Sequence, residues 1–245
     1  MQSIKPTGKP LFELVYESAL SILPGSSDGV SVCVLSPSEE VQQHCLQNQI
    51  PCRHYPYSWI PQNGTERVYQ WVSELEVASE SPFGWDDIVV NLQVDQLGME
   101  PGVWQALIAA VSGSLSDNPT KAATVFSTRN EDHSVISNQN RVCGAVVDKK
   151  AVGFSRFHPY PMLNLITPEQ AEKEYESREH FGVYAYRYRA LKNYVQYGVC
   201  PQELQYSMEQ LRWLDMGESY AAVYADLPPG INVPEDLKGV ESGND

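Results

Sequence analysis

Apolar residues recur at helical spacing from Phe12 to Leu23, and the Pro24-Gly-Ser-Ser-Asp-Gly29 run that follows stops the helix. Val30-Ser-Val-Cys-Val-Leu35 predicts a buried strand. Ser36 or Ser38 predicts the cap of a second helix reaching Cys45, and Pro51–Tyr55 a short strand. A third helix, Glu66 to Val77, is capped by Asn63 or Thr65 and gathers Val68, Trp71, Val72 and Leu75 on one face. The clearest strand is Asp86 to Val94, whose Ile-Val-Val centre predicts burial on both faces.

Further along, the pattern predicts a helix over Pro101–Val111 and a strand over Ala122–Ser127. A strand pair follows, Val142–Val147 and Val152–Phe154, turning at Asp148-Lys149-Lys150. Phe181–Tyr186 alternates like a strand, and Tyr188–Tyr197 reads as a short helix. Leu204–Met216 reads as one strongly amphipathic helix closed by Gly217, before a strand over Tyr220–Tyr224. Alternating β and α elements predict an α/β fold with a mixed, mostly parallel sheet and helices on both faces. A single domain over residues 1–240 and a disordered tail over 241–245 are expected.

Charge and cysteine usage narrow the function classes. Seventeen Lys and Arg against 31 Asp and Glu leave a net charge of −14, which repels a phosphate backbone, so no nucleic-acid partner is expected. No apolar run approaches the ~20 residues of a membrane span, and the first residues lack a secretory signal, so a cytoplasmic protein without membrane attachment is expected. The five cysteines are odd in number and form no C-x-x-C pair, which argues against a disulfide framework. His44, Cys45, Cys52 and His54 are close enough for a zinc reading. His44 and Cys45, however, would diverge by ~100° on a helix, which favours ordinary thiols and a surface histidine.

Seven segments occur in the order of one family. They are Ile4-Lys-Pro-Thr-Gly-Lys-Pro-Leu11, Asn63-Gly-Thr-Glu-Arg67, Val90-Asn-Leu-Gln-Val-Asp95, Phe154-Ser-Arg156, His180-Phe-Gly-Val-Tyr-Ala-Tyr-Arg187, Met208-Glu-Gln-Leu-Arg212 and Val233-Pro-Glu-Asp-Leu237. Together they resemble the CMP-Kdo synthetase (3-deoxy-manno-octulosonate cytidylyltransferase) family over nearly the whole chain. The resemblance implies a Rossmann-like nucleotidyltransferase fold and a homodimer. It implies transfer of cytidylyl from CTP to the sugar acid Kdo, with Mg²⁺ and loss of diphosphate, to activate a lipopolysaccharide sugar.

It also implies a site. Asn63, Gly64, Thr65 and Gln93 fall at nucleotide positions, Asp95 and Asn232 at the two metal positions. Ser155, Arg156, His180, Tyr184, Glu209 and Gln210 fall around the sugar acid. Arginine suits that ligand because its planar fork gives a carboxylate two parallel hydrogen bonds. Plainer roles stand beside these: Asn63 as a helix cap, Tyr184 as core, Glu209 and Arg212 as a helix-face ion pair.

The chain also departs from the family. The family's opening strand and its Pro-Ala-Arg-x-x-Ser-x-Arg-x-Pro-Gly-Lys-Pro-Leu loop have no counterpart, so the neighbours of that strand are expected to carry open edges. Its second metal aspartate reads Asn232, its Gly-Asp-Glu-Pro reads Val94-Asp95-Gln96-Leu97, its Ala-Thr-Asp reads Leu35-Ser36-Pro37, and its Asn-x-Val-Lys ends in Cys143. These departures imply a CMP-Kdo-synthetase-like protein with impaired or lost catalysis. The alternatives are a working divergent cytidylyltransferase whose N-terminus lies upstream, and a non-catalytic binding or interaction module.

Overall fold

The computed structural model describes residues 3–4, 8–22, 30–56, 63–78, 84, 86–112, 120–129, 141–156, 175–228 and 230–231. The chain forms two compact units. One comprises Met1–Pro82, Gln93–Pro101 and Pro228–Asp245, the other Phe83–Leu92 and Gly102–Leu227.

In the first unit a short antiparallel pair, β1 (Ser3–Ile4) and β2 (Lys9–Pro10), leads into helix α1 (Leu11–Ile22). Strand β3 (Val34–Ser36), helix α2 (Glu39–Gln47), strand β4 (Cys52–His54) and helix α3 (Gly64–Ala78) follow. Ser38 caps α2, its Oγ accepting the Val41 N–H at 3.3 Å. β3 and β4 pair in parallel. The strand expected over Val30–Leu35 is thus shorter and less buried than its apolar run predicts: it begins at Val34, and Val30 is 53% exposed. Among the described residues β3 has β4 on one edge alone, so nothing holds the start of the run in a ladder.

Cys45 lies on α2 and Cys52 on β4, and burial pushes the Cys45 thiol up to about 12. His44 turns instead to Glu13 at 2.6 Å, and His54 to the Pro37 carbonyl at 2.9 Å. The two histidines of the zinc reading thus turn to partners of their own, and all five cysteines are free thiols.

The second unit holds strand β5 (Ile88–Leu92), helix α4 (Pro101–Ser112, all but its first residue), and strands β6 (Ala122–Ser127), β7 (Val142–Val147), β8 (Lys150–Ser155) and β9 (Glu176–Arg187). Helices α5 (Tyr188–Tyr197), α6 (Pro201–Tyr206) and α7 (Gln210–Asp215) and strand β10 (Tyr220–Ala225) complete it. The six strands lie in the order β5-β9-β6-β10-β8-β7, with a further β9–β7 ladder that closes the last five into a ring. Four strands run one way, but β8 and β9 run against them and sit between, so the only parallel ladder described in this sheet is β6–β10. The sheet is mixed, as expected, while its pairings are mostly antiparallel rather than mostly parallel. The twelve-residue β9 accounts for this, because it pairs antiparallel with β5, β6 and β7 in turn.

β7 and β8 form a hairpin whose two loop residues, Asp148 and Lys149, both have positive φ, the conformation that matches strand twist. β5 alternates instead of burying both faces. Val89 and Asn91 are buried while Ile88, Val90 and Leu92 are half-buried, and its described ladder is with β9 alone. The helix expected over Leu204–Met216 is two helices. Ser207 takes the left-handed conformation (φ 53°, ψ 47°) and breaks it, and its N-terminal part starts earlier, at Pro201.

Aromatic rings fill the core. Tyr186 packs on Tyr184, Tyr194, Trp213 and Tyr220 at centroid separations of 5.9–6.4 Å, and its hydroxyl lies 3.2 Å from that of Tyr220. Gly144 on β7 faces Phe126 so closely that a Cβ would lie 2.3 Å from the ring, which makes glycine the residue that fits there.

Candidate functional site

The candidate residues fall into two groups, one in each unit. In the second unit β9 and β6 build the first group from a break in register. Thr124 pairs with Tyr184 but Val125 pairs with Phe181, so the ladder skips Gly182 and Val183. At this bulge Thr124 Oγ1 donates to the Val183 carbonyl at 2.7 Å and lies 2.8 Å from His180 Nε2. The imidazole is enclosed by the rings of Phe126, Phe154 and Tyr184, with centroids at 5.3, 5.1 and 5.4 Å.

Burial, and then the positive charge of nearby Arg156, hold His180 down at about 3, so the ring is neutral at physiological pH. The Tyr184 hydroxyl reaches toward Gln210 Oε1 at 3.5 Å, which links β9 to the start of α7. Ser155 is buried at the end of β8, next to Phe154, and Arg156 follows it half-buried. Glu209 precedes α7, and its carbonyl accepts the Tyr194 hydroxyl at 3.1 Å. His180, Tyr184, Gln210 and Phe154 thus form one connected cluster, and Arg156 lies near enough for its charge to act on His180.

Tyr184 also serves the plainer role, since it is 2% exposed and packs in the aromatic core. Arg212 forks onto Glu203, Nε to Oε2 at 2.6 Å and Nη2 to Oε1 at 2.7 Å, and its guanidinium lies 4.4 Å over the Tyr194 ring. Sequence spacing did not suggest this partner, because Ser207, in the left-handed conformation, breaks the helix between the two residues. Thr124 was missed altogether. Its signal was a single hydroxyl inside the otherwise apolar run Ala122–Phe126, every residue of which is buried.

In the first unit Asn63 caps α3, its Oδ1 accepting the Glu66 N–H at 2.8 Å, so the capping role holds at this position. Gly64 opens the helix and Thr65 is wholly buried. Gln93 and Asp95 lie on the segment after β5. Burial raises Asp95 above the usual carboxylate range, with partial relief from a backbone hydrogen bond within the residue. Its carbonyl accepts the Ile231 N–H at 2.9 Å. Beside it Gln96 Nε2 donates to the Pro228 carbonyl at 3.1 Å, and Gly98, at φ +78°, packs where a Cβ would lie 2.7 Å from Pro228. The chain segments carrying the two proposed metal positions are therefore bonded together. Asn232 itself lies outside the described residues, and among those described no helix is long and apolar enough to cross a membrane.

No family model matches the chain. Two solved structures at low identity share its fold: a 4-diphosphocytidyl-2C-methyl-D-erythritol synthase (TM-score 0.56, 11% identity, 98% of this chain and 92% of that one) and the inositol-1-phosphate CTP transferase of T. maritima (0.51, 12%, 96% and 85%). The fold is the α/β nucleotidyltransferase fold. A structure of CMP:2-keto-3-deoxy-manno-octonic acid synthetase complexed with CTP matches at a TM-score of 0.71 and 26% identity over 98% of this chain and 89% of that one. The 3-deoxy-manno-octulosonate cytidylyltransferase of Vibrio cholerae serotype O1 is 30% identical over 240 residues, covering 95% of this chain and 86% of that protein. The Chlamydia caviae enzyme of the same name is 31% identical over 247 residues, covering 98% and 88%. The chain belongs to the 3-deoxy-manno-octulosonate cytidylyltransferase family.

Proposed function

We propose that this chain recognises CTP and a Kdo-type sugar acid, the sugar acid through the His180 cluster, and transfers cytidylyl between them slowly. The observation that carries the reading is the connected set of His180, Tyr184 and Gln210 with the charge of Arg156 nearby, which supplies neutral partners for hydroxyls and a cation for a carboxylate. In the transfer, a hydroxyl of the sugar acid attacks the α-phosphate and diphosphate departs. The protein's part is to align the two and offset charge.

A carboxylate whose surroundings partly shield it from water, as at Asp95, fits Mg²⁺, which takes one or two carboxylates and completes its shell with water and phosphate oxygens. Asp95 and Asn232 would hold the ion, which would supply charge neutralisation at the triphosphate. Asn232 offers a carbonyl without the charge of the family's aspartate, which weakens the ion's hold and slows turnover.

The working-enzyme reading draws support from the Ile231–Asp95 hydrogen bond, which keeps the two ligand segments joined despite the substitution. Diphosphate release from CTP, with Kdo and Mg²⁺, separates the two. Slow release by the chain and a rise of at least about tenfold in Asn232→Asp support the proposal. Release at an equal rate in both proteins contradicts it.

A further inference from the structure

Thr124 lies outside the candidate set, yet its hydroxyl has a decisive place in it. A threonine hydroxyl carries one proton, and here that proton goes to the Val183 carbonyl at 2.7 Å, an atom that can only accept. The 2.8 Å approach of His180 Nε2 to the same oxygen must therefore be a bond in which the imidazole donates. Enclosure by Phe126, Phe154 and Tyr184, with Arg156 close by, keeps the ring neutral. A neutral imidazole protonated on Nε2 has its lone pair on Nδ1. Among the described residues Nδ1 makes no hydrogen bond.

We infer that Thr124 is a positioning residue that locks His180 in the Nε2–H tautomer, so that Nδ1 is an acceptor for a hydroxyl of the bound sugar acid. The inference rests on the reading that His180 faces that ligand. It deepens that reading by dividing the work. An acceptor nitrogen repels a carboxylate, so the acid group goes to Arg156, and His180 reads a hydroxyl. The bulge makes the device possible, since skipping Gly182 and Val183 brings the Val183 carbonyl within reach of Thr124.

A long-range ¹H–¹⁵N spectrum of the full-length protein at neutral pH tests the lock without any ligand, with His180→Asn assigning the signal among the five histidines. The expected result is a protonated Nε2 and a bare Nδ1, kept in Thr124→Ser and lost in Thr124→Val. Kdo affinity, measured with CTP and EDTA present, is then expected to fall about tenfold in Thr124→Val and to stay near that of the parent in Thr124→Ser, the scale of one hydrogen bond. An Nδ1–H tautomer or an imidazolium in the parent overturns the inference even when Kdo binds. The expected tautomer with no Kdo binding overturns instead the sugar-acid reading, and with it the hydroxyl assigned to Nδ1. Should Thr124→Val fail to fold, the parent and Thr124→Ser spectra still decide the lock.

Discussion

At the residue scale, His180 shows how environment outweighs residue type. Resemblance alone placed it at a sugar-acid position, and in the fold three rings and a threonine surround it and its charged form is disfavoured. The consequence for stability has a definite sign. With the folded-state value depressed to about 3 from 6.5, the unfolded chain binds the proton first, so stability is lost as pH falls from about 6.5 toward 3. Unfolding free energies from urea titrations across that range should fall more steeply in the parent than in His180→Asn, by at most about 1.4 kcal/mol per pH unit. Parallel profiles would show that the ring is solvated and protonates freely. The candidate types were legible from the Phe154-Ser-Arg156 and His180–Arg187 segments. Thr124 was not, because its role depends on a register skip that no local pattern announces.

At the element scale, local signals and tertiary pairing part company in a few places. Caps were readable: Ser38 and Asn63 both accept the backbone N–H three residues on. So was the β7–β8 hairpin at Asp148-Lys149. The break at Ser207 was not, since the amphipathic period runs through it; across the break Arg212 pairs with Glu203. That pair is bidentate and buried, with Arg212 fully inaccessible. Removing one partner leaves the other charge stranded. Arg212→Ala should therefore cost about 3–5 kcal/mol in urea unfolding, while the double replacement Glu203→Gln with Arg212→Met should recover most of that loss. A cost below about 1 kcal/mol for Arg212→Ala would mean that water reaches Glu203.

At the scale of the whole chain, the order of the seven family segments was the strongest signal. It led to the family that curated relatives at 30–31% identity bear out. The sense of the sheet was less legible. Alternating β and α elements suggest parallel ladders, whereas the length of β9 lets one strand serve three neighbours in antiparallel fashion. The apolar runs of β3 and β5 likewise promised more burial than they have. Each has a described partner on one edge alone. Chemistry divides by unit as well. The residues proposed for the sugar acid belong to the ringed sheet and its helices, and those proposed for the nucleotide and metal to the other unit.

The central claim is that the His180 cluster binds a sugar acid, with Arg156 taking its carboxylate. Calorimetric titration of Kdo into the full-length protein, with saturating CTP and EDTA so that transfer does not consume the ligand, addresses it directly. The account predicts saturable binding that weakens at least about tenfold in Arg156→Ala, the scale of a lost charge-assisted hydrogen bond. Absence of binding by the parent, or an affinity unchanged in Arg156→Ala, would contradict it.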